Sequence, residues 1–418
     1  MESTSLVITQ WSKTKKILFR FFFTYFVLFL LFMHDFSNIF TFFLSKIIPW
    51  FGENIFNINY EIKSVFTGSS DTTYNYILIF TVFLFSILST IIWSLLDRKR
   101  TNYKKLYYWL TVSLRFYLAL ILISYGMAKI IKTQFPYPSY NRLNQTYGES
   151  SPMGLAWTFL GFSKGYNLFM GFAEVAAVLL LFRRTLTFGL IITVATLANV
   201  VAINFFYDVP VKIVSSHLLL IALFLLAYNV KDLYEFFFLK KPVEIKHIEK
   251  PRLKSWMNKT FVVIKIIIIF LAIPYALYSR MGSNEESPLK GYYEVKEFKV
   301  NDSVYSASEV TRYEITKWKD MLIESKQWMR IKKGDDKTSW YGIDLNEEKN
   351  KLKLTGYRDS TEVYNLKYKE IDTTNFIIRG SLKSDSIHVK FNKTKDYRKN
   401  YLLTNRGFHW INERPYNR

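Results

Sequence analysis

Not one cysteine occurs in the 418 residues of this chain. Without thiols there are no disulfides, no thiolate metal ligands and no CxxC redox pair, so an exported segment must hold its fold by packing alone. Histidine is scarce, with five copies, and none is set in an HxxxH or HExxH spacing, so no metal-ligating motif is expected. A Walker loop, a Rossmann fingerprint and a nucleophile elbow are missing too, which argues against a nucleotide enzyme. Acidic residues are outnumbered 34 to 56 by Lys and Arg, leaving a formal charge of +22. That excess is not a nucleic-acid footprint, because the cations cluster beside long hydrophobic runs, as the positive-inside bias of membrane proteins requires.

Hydrophobic runs are what the chain has in abundance. Crossing a hydrocarbon core of about 30 Å takes roughly 20 apolar residues in a helix. Ile77–Leu96 meets that length without a charge. Seven spans are expected, at Ile17–Met33, Ile77–Leu96, Leu106–Tyr125, Tyr166–Phe182, Leu186–Phe206, Ile213–Ala227 and Phe261–Tyr278. Phe36–Trp50 is shorter, carries Lys46 and ends in Pro49-Trp50, which suits a helix lying in the interface. The first run is too long for a signal-peptide core, and no small-x-small cleavage site follows it.

Loop charge sets the expected orientation. Lys13, Lys15, Lys16 and Arg20 flank the first span; Arg98, Lys99, Arg100, Lys104 and Lys105 follow the second; Arg183-Arg184 follow the fourth; and 231–259 is rich in Lys. Alternate loops are basic, which predicts a bacterial inner-membrane protein with a cytoplasmic N-terminus and a periplasmic C-terminal domain. Four regions are read: residues 1–105 with the first helices and the interfacial helix, a four-helix bundle over 106–240, a cytoplasmic linker and last span over 241–280, and an extracytoplasmic β-rich domain over 281–418. Ser279–Lys290 reads as a linker. Beyond it, Tyr341, Ile343 and Leu345 alternate with polar residues, as do Leu352 and Leu354, then Ile378 and Leu382, then Ile387, Val389 and Phe391 across Ser384-Asp385. Period-two alternation between turn residues predicts six to eight antiparallel strands closed as a barrel or sandwich. The last residues, 405–414, read as a final strand and tail locked by Trp410, or as a recognition surface using Arg406, His409 and Trp410.

Ionisable residues inside a span are costly and point to function or to pairing. Arg115 and Glu174 fall at similar depth on consecutive antiparallel spans, so they are expected to form an intramembrane charge pair. Toward the outer face lie Tyr125, Lys129, Asn199, Asn204, Asp208, Lys212 and His217, expected to converge on a polar cavity open to the outside. A histidine hydrogen-bonded for packing is the plainer reading of His217. The long segment 132–164 is expected to cover this face as a lid or binding loop, with Pro152–Phe162 as a short helix.

Arg115, Gly126 and Lys129 on one helix, followed by Gly171-Phe172-Ala173-Glu174 on the next, resemble the DoxX-like family of four-helix membrane proteins over about residues 106–238. The strings YGESSPMGLAWTFLGFS and NFFYDVPVKIVSSHLLL look like a larger bacterial subgroup with extra helices and a C-terminal domain. The resemblance implies a four-helix bundle with Arg115, Gly126, Lys129 and Glu174 at the family positions. For some members it also implies thiosulfate:quinone chemistry. This chain adds two helices before the bundle, one after it, and the exported domain. Three readings stay open: a non-catalytic envelope component whose β-domain binds another envelope protein, a quinone-linked oxidoreductase subunit, and a lipid or small-solute handling protein. The cofactor is unknown, with quinone possible, and membrane lipid is an expected partner.

Overall fold

The computed structural model describes residues 10–33, 38–62, 69–251, 254–272, 274–275, 286–309, 317–335, 337–382, 385–394, 397–407, 409–410 and 414. The chain divides into two compact units. The first contains residues 1–134, 151–157 and 164–276; the second contains 135–150, 158–163 and 277–418. The long segment after the third expected span is therefore partitioned, and much of it belongs with the β-domain rather than with the helices that it connects.

The helical unit contains α1 (Lys13–Phe32), α2 (Asn38–Asn54), α3 (Thr73–Leu96), α4 (Lys104–Ile130), α7 (Lys164–Val175, extended by a 3₁₀ turn Ala176–Leu181), α8 (Leu186–Phe206), α9 (Lys212–Leu226), α10 (Val230–Phe237) and α11 (Ser255–Ile267); α5 (Tyr140–Asn144) and α6 (Pro152–Phe162) intervene between α4 and α7. Among the described residues, five stretches are long and apolar enough to cross a membrane: Thr73–Leu96, Lys104–Ile130, Lys164–Leu181, Leu186–Phe206 and Lys212–Phe237. Seven were expected. The two that fall short do so for visible reasons. α1 carries Lys13, Lys15, Lys16 and Arg20, and α11 gives way to a π-helical turn at Ile268–Ala272; residues 273 and 276–278 of the expected seventh span lie outside the described residues. Arg20 is nonetheless buried. Its guanidinium donates to Tyr103 Oη (2.7 and 3.0 Å), Ser94 Oγ (2.8 Å) and the Asp97 carbonyl (3.0 Å), which ties α1 to the α3–α4 turn. The core of this unit is apolar and aromatic, with Phe26, Phe29, Leu114, Leu118, Leu180 and Ile221 among its fully enclosed side chains.

The second unit is built on nine strands: β1 (Glu286–Val300), β2 (Ser303–Ser306), β3 (Trp318–Ser325), β4 (Trp328–Lys333), β5 (Thr338–Asn346), β6 (Lys351–Gly356), β7 (Val363–Glu370), β8 (Asn375–Leu382) and β9 (Asp385–Thr394). Neighbours in sequence pair antiparallel from β3 to β9, and β1 pairs with both β3 and β9, so eight strands close into a barrel with β2 flanking β1. Register shifts within β1, between Glu286 and Gly291 and between Val295 and Glu297, supply the bends by which one strand serves both seams. The expected linker is shorter than read, because β1 already begins at Glu286; residues 279–285 lie outside the described residues, as does Ser384 of the β8–β9 turn.

The barrel interior is filled with side chains. Tyr293, Phe376 and Phe391 form an aromatic cluster with centroids 4.7–6.2 Å apart, and Leu354, Ile378, Val389, Met321 and Ile331 close around it. Closure removes free strand edges and makes the enclosed layer the source of stability. Trp410, expected to lock the tail, is 91% exposed; a short helix α12, Leu402–Asn405, leads into the expected final strand 405–414, of which residues 408 and 411–413 lie outside the described residues. Replacing Phe376 with Ala should open the aromatic cluster and cost about 3–5 kcal/mol. Thermal unfolding of the purified full-length protein, followed by near-UV circular dichroism, should show the β-domain transition fall by several degrees.

Candidate functional site

Within the helical unit, α4 and α7 meet at two glycines. A Cβ added to Gly126 would lie 2.7 Å from the Gly171 carbonyl oxygen, and one added to Gly171 would lie 2.8 Å from the Gly126 carbonyl oxygen. Backbone-to-backbone approach of this kind is open only to small residues. It brings the side chains just beyond the glycines within reach. Lys129 Nζ stands 2.6 Å from Glu174 Oε2 and 3.0 Å from Gln134 Oε1, and both charged residues are buried. The Tyr125 ring lies under the same ammonium, 5.9 Å from its centroid.

The expected Arg115–Glu174 pair is therefore not what forms. Glu174 takes Lys129 as its partner. Arg115, also buried, donates through Nε (2.9 Å) and Nη2 (2.7 Å) to the Leu180 carbonyl. Leu180 lies in the 3₁₀ turn that ends the α7 span, where the last carbonyls lack intrahelical partners. The guanidinium supplies one.

The seven residues expected around an outer cavity are distributed over separate groups. Tyr125 and Lys129 belong to the pair just described. Lys212 bridges Asp208 (2.7 Å) and Asp71 (3.7 Å). Asp71 was not anticipated; its carboxylate accepts from the Lys212 and Ile213 backbone amides at 2.8 and 3.0 Å and so caps α9. Its signal is the polar run Ser69-Ser70-Asp71-Thr72 just before α3. His217 sits between Tyr25, with Nε2 2.7 Å from the hydroxyl, and the Ile213 carbonyl, 2.6 Å from Nδ1. A carbonyl only accepts, so Nδ1 carries the proton and Nε2 of the neutral ring accepts from Tyr25. The ring also stacks on Phe29 at 4.5 Å and 7°. That is a packing histidine, the plainer of its two readings. Asn204 is buried and Asn199 is on the exposed face of α8.

In the second unit, residues 135–150 lie on the outer face of the barrel. Tyr140 stacks on Tyr292 with centroids 3.7 Å apart, and Tyr401 meets Tyr140 edge-on at 6.3 Å. Arg330 donates to Asn141 and pairs with Asp320, both charges being buried. Burial pushes the Asp320 carboxyl up, against the opposing pull of Arg330. It likewise pushes the Tyr140 phenol up to about 12 and raises Tyr292, so both rings stack as neutral phenols. Arg398 lies over the Tyr137 ring at 5.3 Å. Residues 137–141 of the segment expected to be a lid are thus held by ring contacts and by a hydrogen bond from the ion-paired Arg330.

No family model and no solved structure matches the chain. Over 137 residues it is 34% identical to an uncharacterized protein of Bacillus subtilis (strain 168), YwoB, and the match covers 32% of this chain and 86% of that protein. The chain belongs to the YwoB family. A bundle-sized segment is therefore shared, and two thirds of this chain lie beyond it.

Two predictions test these arrangements. Lys129→Met leaves a buried carboxylate alone and should cost about 3–5 kcal/mol, whereas adding Glu174→Leu should restore most of that; melting of the detergent-solubilised protein reads both, and a double variant no better than the single would show the charges to be uncoupled. Asp71→Ala removes the α9 cap and should cost about 1–2 kcal/mol in the same assay, with Asp71→Asn retaining much of it.

Proposed function

We propose that the protein is a multi-pass component of the bacterial inner membrane, DoxX-like in its helical bundle, that binds another envelope protein through its C-terminal barrel and catalyses no reaction itself. The observation that carries this reading is the disposition of aromatic residues on the barrel. The interior is occupied by its own core, so recognition falls to the outer surface. There, Tyr292, Leu322, Arg330 and Trp340 form one cross-strand row over β1, β3, β4 and β5. Leu322 and Arg330 are buried, and Tyr292 is partly covered, on the face where residues 135–150 lie. Trp340 is 47% exposed, and beside it stand Trp328 at 42% and Tyr357 at 69%, the last two in edge contact at 5.2 Å. Exposed Trp and Tyr beside a buried arginine are the composition of a protein-binding hot spot.

Orientation belongs to the same proposal. Alternating loop charge puts the N-terminus in the cytoplasm and the barrel in the periplasm. The packing of residues 135–150 on the barrel supports it, since the connection leaving the end of α4 then shares a compartment with the β-domain. The intramembrane Lys129–Glu174 pair is read as a register device that holds α4 against α7.

A photoreactive phenylalanine analogue at position 340 of the full-length protein, irradiated in intact cells, should yield one discrete adduct. The same analogue at exposed Lys353 of β6 should not. Identical adduct patterns at the two positions, or none at 340, would rule out Trp340 as a contact.

A further inference from the structure

The helical unit holds a cleft of about 1170 Å³ that none of the groups above occupies. One wall is the start of α1, with Trp11, Lys15 and Phe22; the other is the end of α9 and the strap formed by residues 244–249. The strap is pinned at three points. Asn229 Nδ2 donates to the Lys246 carbonyl (3.0 Å), Arg183 donates to the Ile248 carbonyl, and Lys104 pairs with Glu249 (3.3 Å). The opposite wall is fixed as firmly, by the Trp11 amide on the Thr101 carbonyl (3.0 Å) and by the buried Arg20–Tyr103 contact. The cleft is therefore built from both sides.

Its lining is divided chemically. The floor is a run of touching aromatic rings: Phe22 against Phe224 at 5.4 Å, Phe224 against Tyr107 at 6.2 Å, and Tyr107 against Tyr228 at 6.1 Å. Phe224 and Tyr228 belong to the membrane-crossing stretch Lys212–Phe237. The rim carries Lys15, Lys104 and Lys246 with Glu244 and Glu249, and the Lys104–Glu249 pair leaves two lysines against one glutamate. In the sequence the two walls are flanked by Lys13, Lys16, Lys240, Lys241 and Lys250. Basic residues over an apolar floor at the end of membrane helices match an acidic headgroup with a hydrocarbon tail. A soluble anion would have no use for the floor, and an uncharged lipid none for the rim. The volume also exceeds the roughly 300–1,000 Å³ of ordinary small-molecule sites.

We propose that this cleft retains one anionic phospholipid from the adjoining leaflet, its phosphate held by Lys15 and Lys246 and an acyl chain lying along Phe22 and Phe224. The site is independent of whatever the barrel binds. A small polar cavity of about 20 Å³, lined by Arg115, Arg183 and Asn229, shares Lys246, His247 and Ile248 with the cleft. That volume has room for one water-sized group and no lipid, so the lipid is assigned to the cleft on the other side of the strap.

Native mass spectrometry of the full-length protein, released from micelles containing equal phosphatidylglycerol and phosphatidylethanolamine, reads the proposal. One phosphatidylglycerol should be retained in clear preference to phosphatidylethanolamine. Lys15→Gln with Lys246→Gln, both at exposed positions that folding tolerates, should lower that retention about tenfold or more. Lys353→Gln with Lys367→Gln in the barrel should leave it unchanged. Equal retention of the two lipids, or undiminished retention by the cleft variant, would overturn the proposal. So would displacement of the lipid by millimolar inorganic phosphate, which would make the site one for a free anion.

Discussion

A lysine and a glutamate drawn into an apolar bundle persist there only as partners, and in this protein everything around α4 and α7 follows from that requirement. Either charge alone in hydrocarbon is costly, and the pair is tolerable only at hydrogen-bond distance. The 2.6 Å contact between Lys129 and Glu174 needs the helix backbones closer than ordinary side chains allow. Gly126 and Gly171 remove the obstruction, each occupying the space that a Cβ on the other would take. Register, interhelical distance and charge burial are thus one constraint, satisfied by four residues. The nearby Arg115 solves a different problem. It completes the carbonyl of a helix that ends in a 3₁₀ turn, so its charge is met by backbone dipoles rather than by an acid.

The same economy recurs at both ends of the helical unit. Asp71 serves α9 as cap and Lys212 as counter-ion, with one carboxylate meeting two demands. Arg20, one of four basic residues on α1, is buried by Tyr103, Ser94 and a carbonyl rather than by a carboxylate. Apart from Lys129–Glu174, these polar groups are placed against hydrogen-bond partners that the polypeptide already provides, so helices are held together by few buried ion pairs. Glu249, on the strap, is one of the few acids used against a lysine at a distance in sequence, and it does so at the surface.

How much of this was legible in the sequence depended on the kind of pattern. Hydrophobic length and period-two alternation report on one residue's neighbours in the chain, and they located α3, α8 and the β5–β6 and β8–β9 hairpins closely. Pairing Arg115 with Glu174 assumes that the two spans start at one level. They do not: Arg115 meets the Leu180 carbonyl and Gly126 meets Gly171, so α7 is set along α4 toward its C-terminal end. That offset brings Glu174 to Lys129, fourteen residues beyond Arg115, and the extra rise of the 3₁₀ turn Ala176–Leu181 adds only about 3 Å to it. Depth also leaves azimuth undetermined, so residues such as Lys212, His217 and Asn199 could share a level and still point to different neighbours. Tyr25 and Asp71, the partners that settle His217 and Lys212, come from segments about 140 to 190 residues away. No local pattern carries that information.

The barrel extends the argument from holding a fold to using one. Once the interior is filled by Tyr293, Phe376 and Phe391, the inward half of every strand is committed to stability, and only outward residues are free to serve recognition. The row Tyr292–Leu322–Arg330–Trp340 shows that freedom in use. Its first members are engaged on the face that carries residues 135–150, and its last is exposed with Trp328 and Tyr357 beside it. A tryptophan continuing a row whose other members are covered costs solubility unless something covers it too. For the partner proposed above, the covered part of the row offers a pattern: aromatic stacking as at Tyr140 on Tyr292, with a charged anchor as at Arg330.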